Sequence, residues 1–284
     1  MSSTELRDAA RALDPGAVLV AVDGSADADR AIAWAAQQAY LERRPLVVVT
    51  TRDAVVADEA VGVAQRLHPG LEVTELVIGG DPRFVLTELS RHAHLLVLGS
   101  RGRGMVGSRL LGSVSAAVSR DAACPVFVCR PLSPEASRRG ILLGVDGTEE
   151  SLPVVELAFH QASLTDLPLT VVHCFWDPDR LTHEPEVVAP DEPGLGEHRL
   201  LLAESVAGMA SKFPEVQVAL RLQRGIVEEC LVAGSADWDL VVVGRHPVDT
   251  LPRYLTGAVA TIVVERARTT VAVVPVAWRD PDHS

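Results

Sequence analysis

The chain contains itself twice. VLVAVDGS, Val18 to Ser25, returns as ILLGVDGT, Ile141 to Thr148, at an offset of 123 residues. PLVVVTT, ending at Thr51, matches LTVVHC, ending at Cys174, at the same offset of 123. Farther on, LLVLGSRG from Leu95 matches LVVVGRHP from Leu240 at an offset of 145, and Gly80 pairs with Gly225 and Gly112 with Gly257 likewise. A repeat this long predicts two similar domains of ordinary size. The second copy carries 22 extra residues, which fall in DPDRLTHEPEVVAPDEPGLGEH, Asp177 to His198. Proline and acid dominate that stretch, so it reads as an irregular loop or disordered surface excursion, outside the core. PLSPEASRRG, Pro131 to Gly140, has the composition of a linker. The expected organisation is an N-terminal extension over 1–16, a first domain over 17–132 and a second over 140–278, with the acidic insertion at 177–198.

Within each copy, short β-branched runs alternate with helical stretches. In the first copy the runs are Val18–Val22, Leu46–Thr50, Glu72–Ile78, Leu95–Leu98 and Val126–Cys129. Between them, Ala28–Leu41, Val55–Leu67 and Arg83–His92 carry apolar residues near the helical period. Near-continuous apolar strands separated by helices make a parallel sheet covered on both faces. The expected fold class is α/β: two tandem doubly wound, Rossmann-like domains of five parallel strands each. In such folds ligands sit at the carboxyl ends of the strands, where the strand order switches direction.

Composition narrows the functions. The chain holds 38 acidic against 26 basic residues, a formal net charge of −12, which argues against broad contact with nucleic acid or anionic membranes. Of the basic residues only Lys212 is a lysine, so neither a Walker-type loop nor a Schiff-base lysine is expected. Met1 to Gly16 lacks the apolar core of a signal peptide, and no apolar run reaches the ~18 residues of a membrane span. A cytoplasmic protein is expected. Cys124, Cys129, Cys174 and Cys230 show no CxxC spacing and read as buried, reduced thiols.

Three motifs fall at the strand ends. Asp23-Gly24-Ser25 follows the first strand, and Asp146-Gly147-Thr148 repeats it. An acid there can accept a ribose hydroxyl or can cap the following helix, as can the serine. After Leu98 comes a glycine-rich run, Gly99-Ser100-Arg101-Gly102-Arg103-Gly104-Met105-Val106-Gly107, then Gly112-Ser113. Glycines let backbone N–H groups approach an anion, and Ser113 opens a helix whose first N–H groups form a phosphate site. Arg101, Arg103 and Arg109 add positive charge with no acid between Gly99 and Arg120. Thr51 ends the second strand on the same rim, where backbone groups could read an adenine edge.

Two loop templates compete for the glycines. Gly102-x-Gly104-x-x-Gly107 spells the dinucleotide fingerprint GxGxxG, but that motif belongs after a domain's first strand, with an acid about 20 residues on. Here it follows the fourth strand, and the residues near that distance are Val126-Phe127-Val128. A dehydrogenase is therefore not expected. The other template, Gly99-x2-Gly102-x9-Gly112-Ser113, resembles the ATP-binding signature of the universal stress protein family. The opening VAVDGS, the text LLGSVSAAVSRDAACPVFVCRP and the repeat itself are similar to tandem two-domain members of that family.

The resemblance implies an ATP-binding stress-response or regulatory protein, with ATP (with or without magnesium) in the first domain. Position by position, it places Ala21 and Asp23 near adenine and ribose, and Thr51 at the adenine. Gly99, Gly102, Gly112, Ser113 and the adjacent Val114 fall at the phosphates. Ser100, Arg101, Arg103, Gly104 and Met105 belong to the loop around the triphosphate. It further implies that the last strands, Val126–Cys129 and Val271–Val274, pair between the domains as an internal pseudo-dimer, with a homodimer and a regulatory protein partner as further expectations. His94 stands where the family usually has Asp. The second copy reads Gly244-x2-Pro247-x9-Gly257-Ala258: the proline has no N–H and the alanine no hydroxyl, so ATP is expected in the first domain only. Arg245, His246 and Arg253 leave positive charge on the second rim. No catalytic residues are expected. A slow ATPase using the same pocket and a scaffold without nucleotide are the alternatives.

Overall fold

The computed structural model describes residues 3–52, 54–102, 111–131, 137–177, 184–246 and 256–279. The chain divides into two compact units, one comprising the described residues up to Pro131 with Trp278 and Arg279, the other running from the linker to Ala277.

The first unit opens with helix α1 (Ser3–Arg11). Leu6 and Ala10, four residues apart on one face, are buried against later helices of the unit, so this part of the extension is folded onto the domain. Strands β1 (Val18–Ala21) and β2 (Leu46–Thr50) are almost completely buried. Edge strand β3 (Val73–Val77) is half-exposed, whereas β4 (Leu95–Gly99) and β5 (Val126–Cys129) are buried apolar runs. The order is β3-β2-β1-β4-β5, with every pairing parallel. Strands apolar on both faces need helices to cover them, here α2 (Ala26–Glu42), α3 (Ala54–Leu67), α4 (Pro82–Leu89) and α5 (Ser113–Asp121). Trp34 of α2 stacks on Phe127 of β5 with centroids 4.3 Å apart. Local sequence sets the helix limits. Ser25 caps α2 by accepting from Ala28 N–H at 3.2 Å, and Asp81 with Pro82 starts α4.

The second unit repeats this plan with β6 (Ile141–Val145), α6 (Leu152–Thr165), β7 (Leu169–Phe175), β8 (Glu186–Val187), α7 (Gly196–Ser205), α8 (Met209–Lys212), β9 (Val218–Arg224), α9 (Val227–Val232), β10 (Leu240–Arg245), α10 (Thr256–Arg266) and β11 (Thr270–Pro275). Its strand order is β11-β10-β6-β7-β9-β8, parallel throughout except where β8 joins β9 antiparallel. In each unit the chain crosses from one side of the sheet to the other between its first and fourth long strands, β1 and β4 or β6 and β10. The carboxyl ends there leave a crevice.

The expectation of five strands per domain therefore needs correcting in the second unit, and the acidic insertion is the reason. Its described part, 184–198, supplies strand β8, the buried Val188 and the first turn of α7, so it is not an irregular excursion. One cation organises it. Arg224, at the end of β9, meets Asp177 through Nε at 2.9 Å, Glu186 at 2.9 Å and Glu192 at 2.6 Å. The ring of Phe175 lies 5.4 Å from the guanidinium carbon. A planar guanidinium with five donors can hold several carboxylates at once, and composition alone could not indicate which basic residue would do so. Replacing Arg224 by Met is expected to lower stability by about 1–3 kcal/mol, less than a fully buried pair would because the carboxylates keep partial exposure. Thermal unfolding measures that loss, and limited proteolysis should show faster cleavage within 184–198.

Candidate functional site

At the β1/β4 crevice the first unit has a cavity of about 480 Å3, lined by Asp23, Thr51, Arg101, Gly102, Gly112 and Ser113 among others. Ala21, Gly99 and Val114 line it too, so most of the residues singled out from the sequence converge on one hollow. Arg103, Gly104 and Met105 lie outside the described residues.

The turn after β1 divides its labour. Ser25 caps α2, while Asp23 Oδ1 accepts from Ser25 N–H at 3.1 Å, closing an Asx turn over Gly24 at φ 73°. The other carboxylate oxygen, Oδ2, faces Gly102, where a Cβ would lie 2.6 Å from it. Helix capping therefore falls to the serine, and the aspartate reaches toward the cavity.

The glycines have different reasons. At Gly99 a Cβ would lie 2.7 Å from the backbone carbonyl carbon of Asp27, so the first turn of α2 itself demands glycine there. Gly102 is constrained by Asp23. At Gly112 a Cβ would meet no atom of the described residues closer than 3.4 Å, an ordinary contact, and φ is −66°. The packing of the described residues does not require glycine at 112. Gly112 N–H donates to Ser100 O at 2.8 Å, and among the described residues no side chain caps the N-terminus of α5 behind it. That N-terminus, with exposed Ser113 as its first residue, faces the cavity.

Sequence reading overlooked the residue that braces this loop. Asp27, buried in the first turn of α2, accepts from Ser100 Oγ at 2.7 Å and from Arg101 Nε at 3.1 Å, both on Oδ2. Burial would raise its pKa, but the hydrogen bonds from Arg101 and Ser100 and the nearby guanidinium charges outweigh that and hold the carboxyl below the usual range. Arg130, just beyond β5, also feels this cluster: burial and the charge of Arg101 depress its pKa, and Asp27 partly offsets them. As an arginine it stays charged. In the sequence Asp27 looked like an ordinary acid in a helix's first turn. The available signal was the repeat: Glu150 stands at Asp27 plus 123, and His246 at Arg101 plus 145.

The universal stress protein family model matches residues 52–130 and again 137–275. A universal stress protein of Mycobacterium tuberculosis is 33% identical over 291 residues, covering 90% of this chain and 96% of its own length. One from Mycolicibacterium smegmatis is 30% identical, covering 90% and 96%. The chain belongs to the universal stress protein family. Among solved structures, a universal stress protein from Archaeoglobus fulgidus aligns over 95% of this chain and 98% of its own at a TM-score of 0.61 and 18% identity. A second, from Pseudomonas aeruginosa, covers 94% and 95% at a TM-score of 0.64 and 17% identity. These two likenesses concern the fold. A universal stress protein solved in complex with cAMP is 31% identical over 40% of this chain, with a TM-score of 0.35.

The second universal stress protein unit keeps the frame and engages the counterpart residues with its own side chains. Asp146, the counterpart of Asp23, accepts from Thr148 N–H at 2.9 Å, Thr148 Oγ1 at 2.8 Å and Ser151 Oγ at 2.7 Å, and pairs with His246 Nε2 at 2.9 Å. His246 is only 5% exposed, with Nδ1 3.4 Å from Glu150 Oε2. His246 does not stand open on this rim: two carboxylates enclose it. At Gly147, φ 81°, a Cβ would lie 2.1 Å from Leu201 of α7, which packs over the turn. Pro247 and Arg253 fall outside the described residues, and Ala258 lies in α10. His173 is a rim histidine, with Nδ1 3.2 Å from Val145 O and Nε2 3.3 Å from His198 Nδ1.

These contacts set opposite pH responses. The hydrogen bond to Asp146 raises the pKa of His246, against burial, with Glu150 adding to the rise. Burial opposes ionisation of Asp146, but the bonds from His246, Ser151 and Thr148 hold its carboxyl far below the usual range. A raised histidine stabilises the fold fully below its unfolded pKa of 6.5 and loses that contribution as pH rises through the folded value. His173, lowered by burial and by His198, has the opposite sense and costs stability as pH falls below 6.5. His246→Gln is therefore expected to flatten the alkaline decline while leaving the acid-side slope, as read by thermal unfolding from about pH 6 to about pH 9.

Proposed function

We propose that this universal stress protein holds ATP in its first unit and works as a nucleotide-dependent regulatory protein, with occupancy of the pocket as the signal. The observation that carries this reading is Gly112: among the described residues no atom excludes a side chain there, yet a side chain would intrude on the cavity at the N-terminus of α5. A glycine unneeded for packing suits a position where a ligand's phosphate comes against the backbone. A cavity of about 480 Å3 is within the usual range for a small-molecule site. Asp23 Oδ2 suits a ribose hydroxyl, and the backbone at Thr51 an adenine edge. Arg101, braced by Asp27, and Arg130 bring positive charge toward the phosphates.

The second unit supports a single site per chain, because Asp146 is already engaged by His246, Thr148 and Ser151. Titration calorimetry with ATP on the full chain should report one site. Gly112→Ala should leave the melting temperature unchanged and weaken ATP more than tenfold, the loss expected for about 1.5–3 kcal/mol of charge-assisted hydrogen bonding. Two sites per chain, or undiminished binding in that variant, would overturn the reading. Phosphate release under single-turnover conditions separates holding ATP from slow hydrolysis of it.

A further inference from the structure

The second unit carries a thiol pair that nucleotide binding does not use. Cys174 lies on β7 and Cys230 on α9, elements that pack together, and each thiol perturbs the other's ionisation. The neighbouring backbone makes room for this contact. Gly225 N–H donates to Phe175 O at 3.0 Å, beside Cys174, and a Cβ at Gly225 would lie 3.2 Å from Cys230 Sγ. At the same repeat offsets the first unit has Thr51 and Val85, so the pair is particular to the second unit. The expectation of four buried thiols also needs correcting: Cys124, Cys129 and Cys230 are buried, but Cys174 is partly exposed.

A cavity of about 90 Å3 adjoins Cys230, on the sheet face shared by Thr170, Val172 and Cys174 of β7 and by Arg221 and Gln223 of β9. A water molecule takes about 30 Å3 of liquid, so the hollow has room for a few waters or a solute of similar size. Thr170, Arg221 and Gln223 on its wall can donate hydrogen bonds to oxygen. The neighbouring Cys174 thiol holds the Cys230 thiol below its usual pKa, against burial and the charges of Glu228 and Glu229. Cys174 itself is pushed up by the Cys230 thiol and by burial. Glu229 is in turn paired with Arg266 at 2.6 Å.

We propose that Cys174 and Cys230 form a modification site, closing to a reversible disulfide on reaction with a small hydroperoxide. Cys230 sulfur attacks the terminal peroxide oxygen, and the O–O bond breaks. Cys230 becomes a sulfenic acid, and the departing oxygen takes up the thiol proton to leave as water or an alcohol. Cys174 sulfur then attacks Cys230 sulfur: the S–S bond forms, the S–O bond breaks, and the hydroxide leaves as water with the Cys174 proton. Two thiols are oxidised and one peroxide is reduced.

The test uses the full chain, reduced, exposed to hydrogen peroxide, unfolded in an alkylating reagent, digested and read by mass spectrometry. A linked peptide pair joining Cys174 to Cys230, short of two hydrogens and released by dithiothreitol, is expected, with Cys124 and Cys129 still alkylated. Cys174→Ser should stop at a Cys230 sulfenic acid that a dione reagent traps, and Cys230→Ser should leave Cys174 unmodified. A different pairing, a disulfide between chains, or two intact thiols at doses that oxidise a free cysteine would overturn the proposal. The wild-type mapping decides the matter even if either serine variant fails to fold.

Discussion

Val18–Ala21, Leu46–Thr50 and Leu95–Gly99 are buried on both faces, and everything chemical in the first unit follows from that constraint. Side chains along such strands can only pack, so polar function is displaced to the loops at their carboxyl ends. Because β1 has β2 on one side and β4 on the other, the loops after β1 and β4 part at that point and leave the crevice between them. Asp27 turns this opening into a defined shape. Its buried carboxylate ties Ser100 and Arg101, on the loop after β4, to the first turn of the helix after β1. Gly99 is the steric counterpart of that bond, since the two segments approach too closely for any side chain.

The second copy keeps a link between the same two segments and changes its chemistry. Where the first unit has Arg101 on Asp27, the second has His246 beside Glu150 and bonded to Asp146. A shorter side chain reaches inward to the acid of the turn after the unit's first strand, whose counterpart Asp23 in the first unit instead faces Gly102. Leu201 then covers the turn. One frame thus carries two different linkages, and among the described residues the difference comes from a handful of side chains at matching offsets. The duplicated unit was free to acquire other features, among them the Arg224 clamp and the Cys174–Cys230 contact, neither of which has a counterpart in the first.

Charge follows the same division. Residues 1–137 carry a net of −2 and residues 138–284 a net of −10, with −6 of that on Asp177–His198. Read as composition, the insertion resembled a solvated loop. Its acids are instead partly spent on a single guanidinium, because a buried cation recruits whatever carboxylates the chain can bring to it. Periodicity detects neither Asp27 nor Arg224, because an acid in a first turn and an arginine at a strand end are both ordinary in sequence. Their importance rests on partners dozens of residues away.

By itself the sequence determined the duplication, the alternation of strand and helix, the glycine spacing and the place of the extra residues. All of these are local patterns or long-range identities that survive without coordinates. It also determined that Gly99, Gly102 and Gly112 belong to one motif. Only the tertiary structure decided that Gly99 and Gly102 serve the protein's own close contacts while Gly112 leaves room at a helix end. Only the structure placed His246 between two carboxylates and the acidic insertion on Arg224. The physical reason is common to all of these. Sterics and pairing at a strand end depend on which segments the sheet brings together, and sheet neighbours in a parallel fold are far apart in sequence.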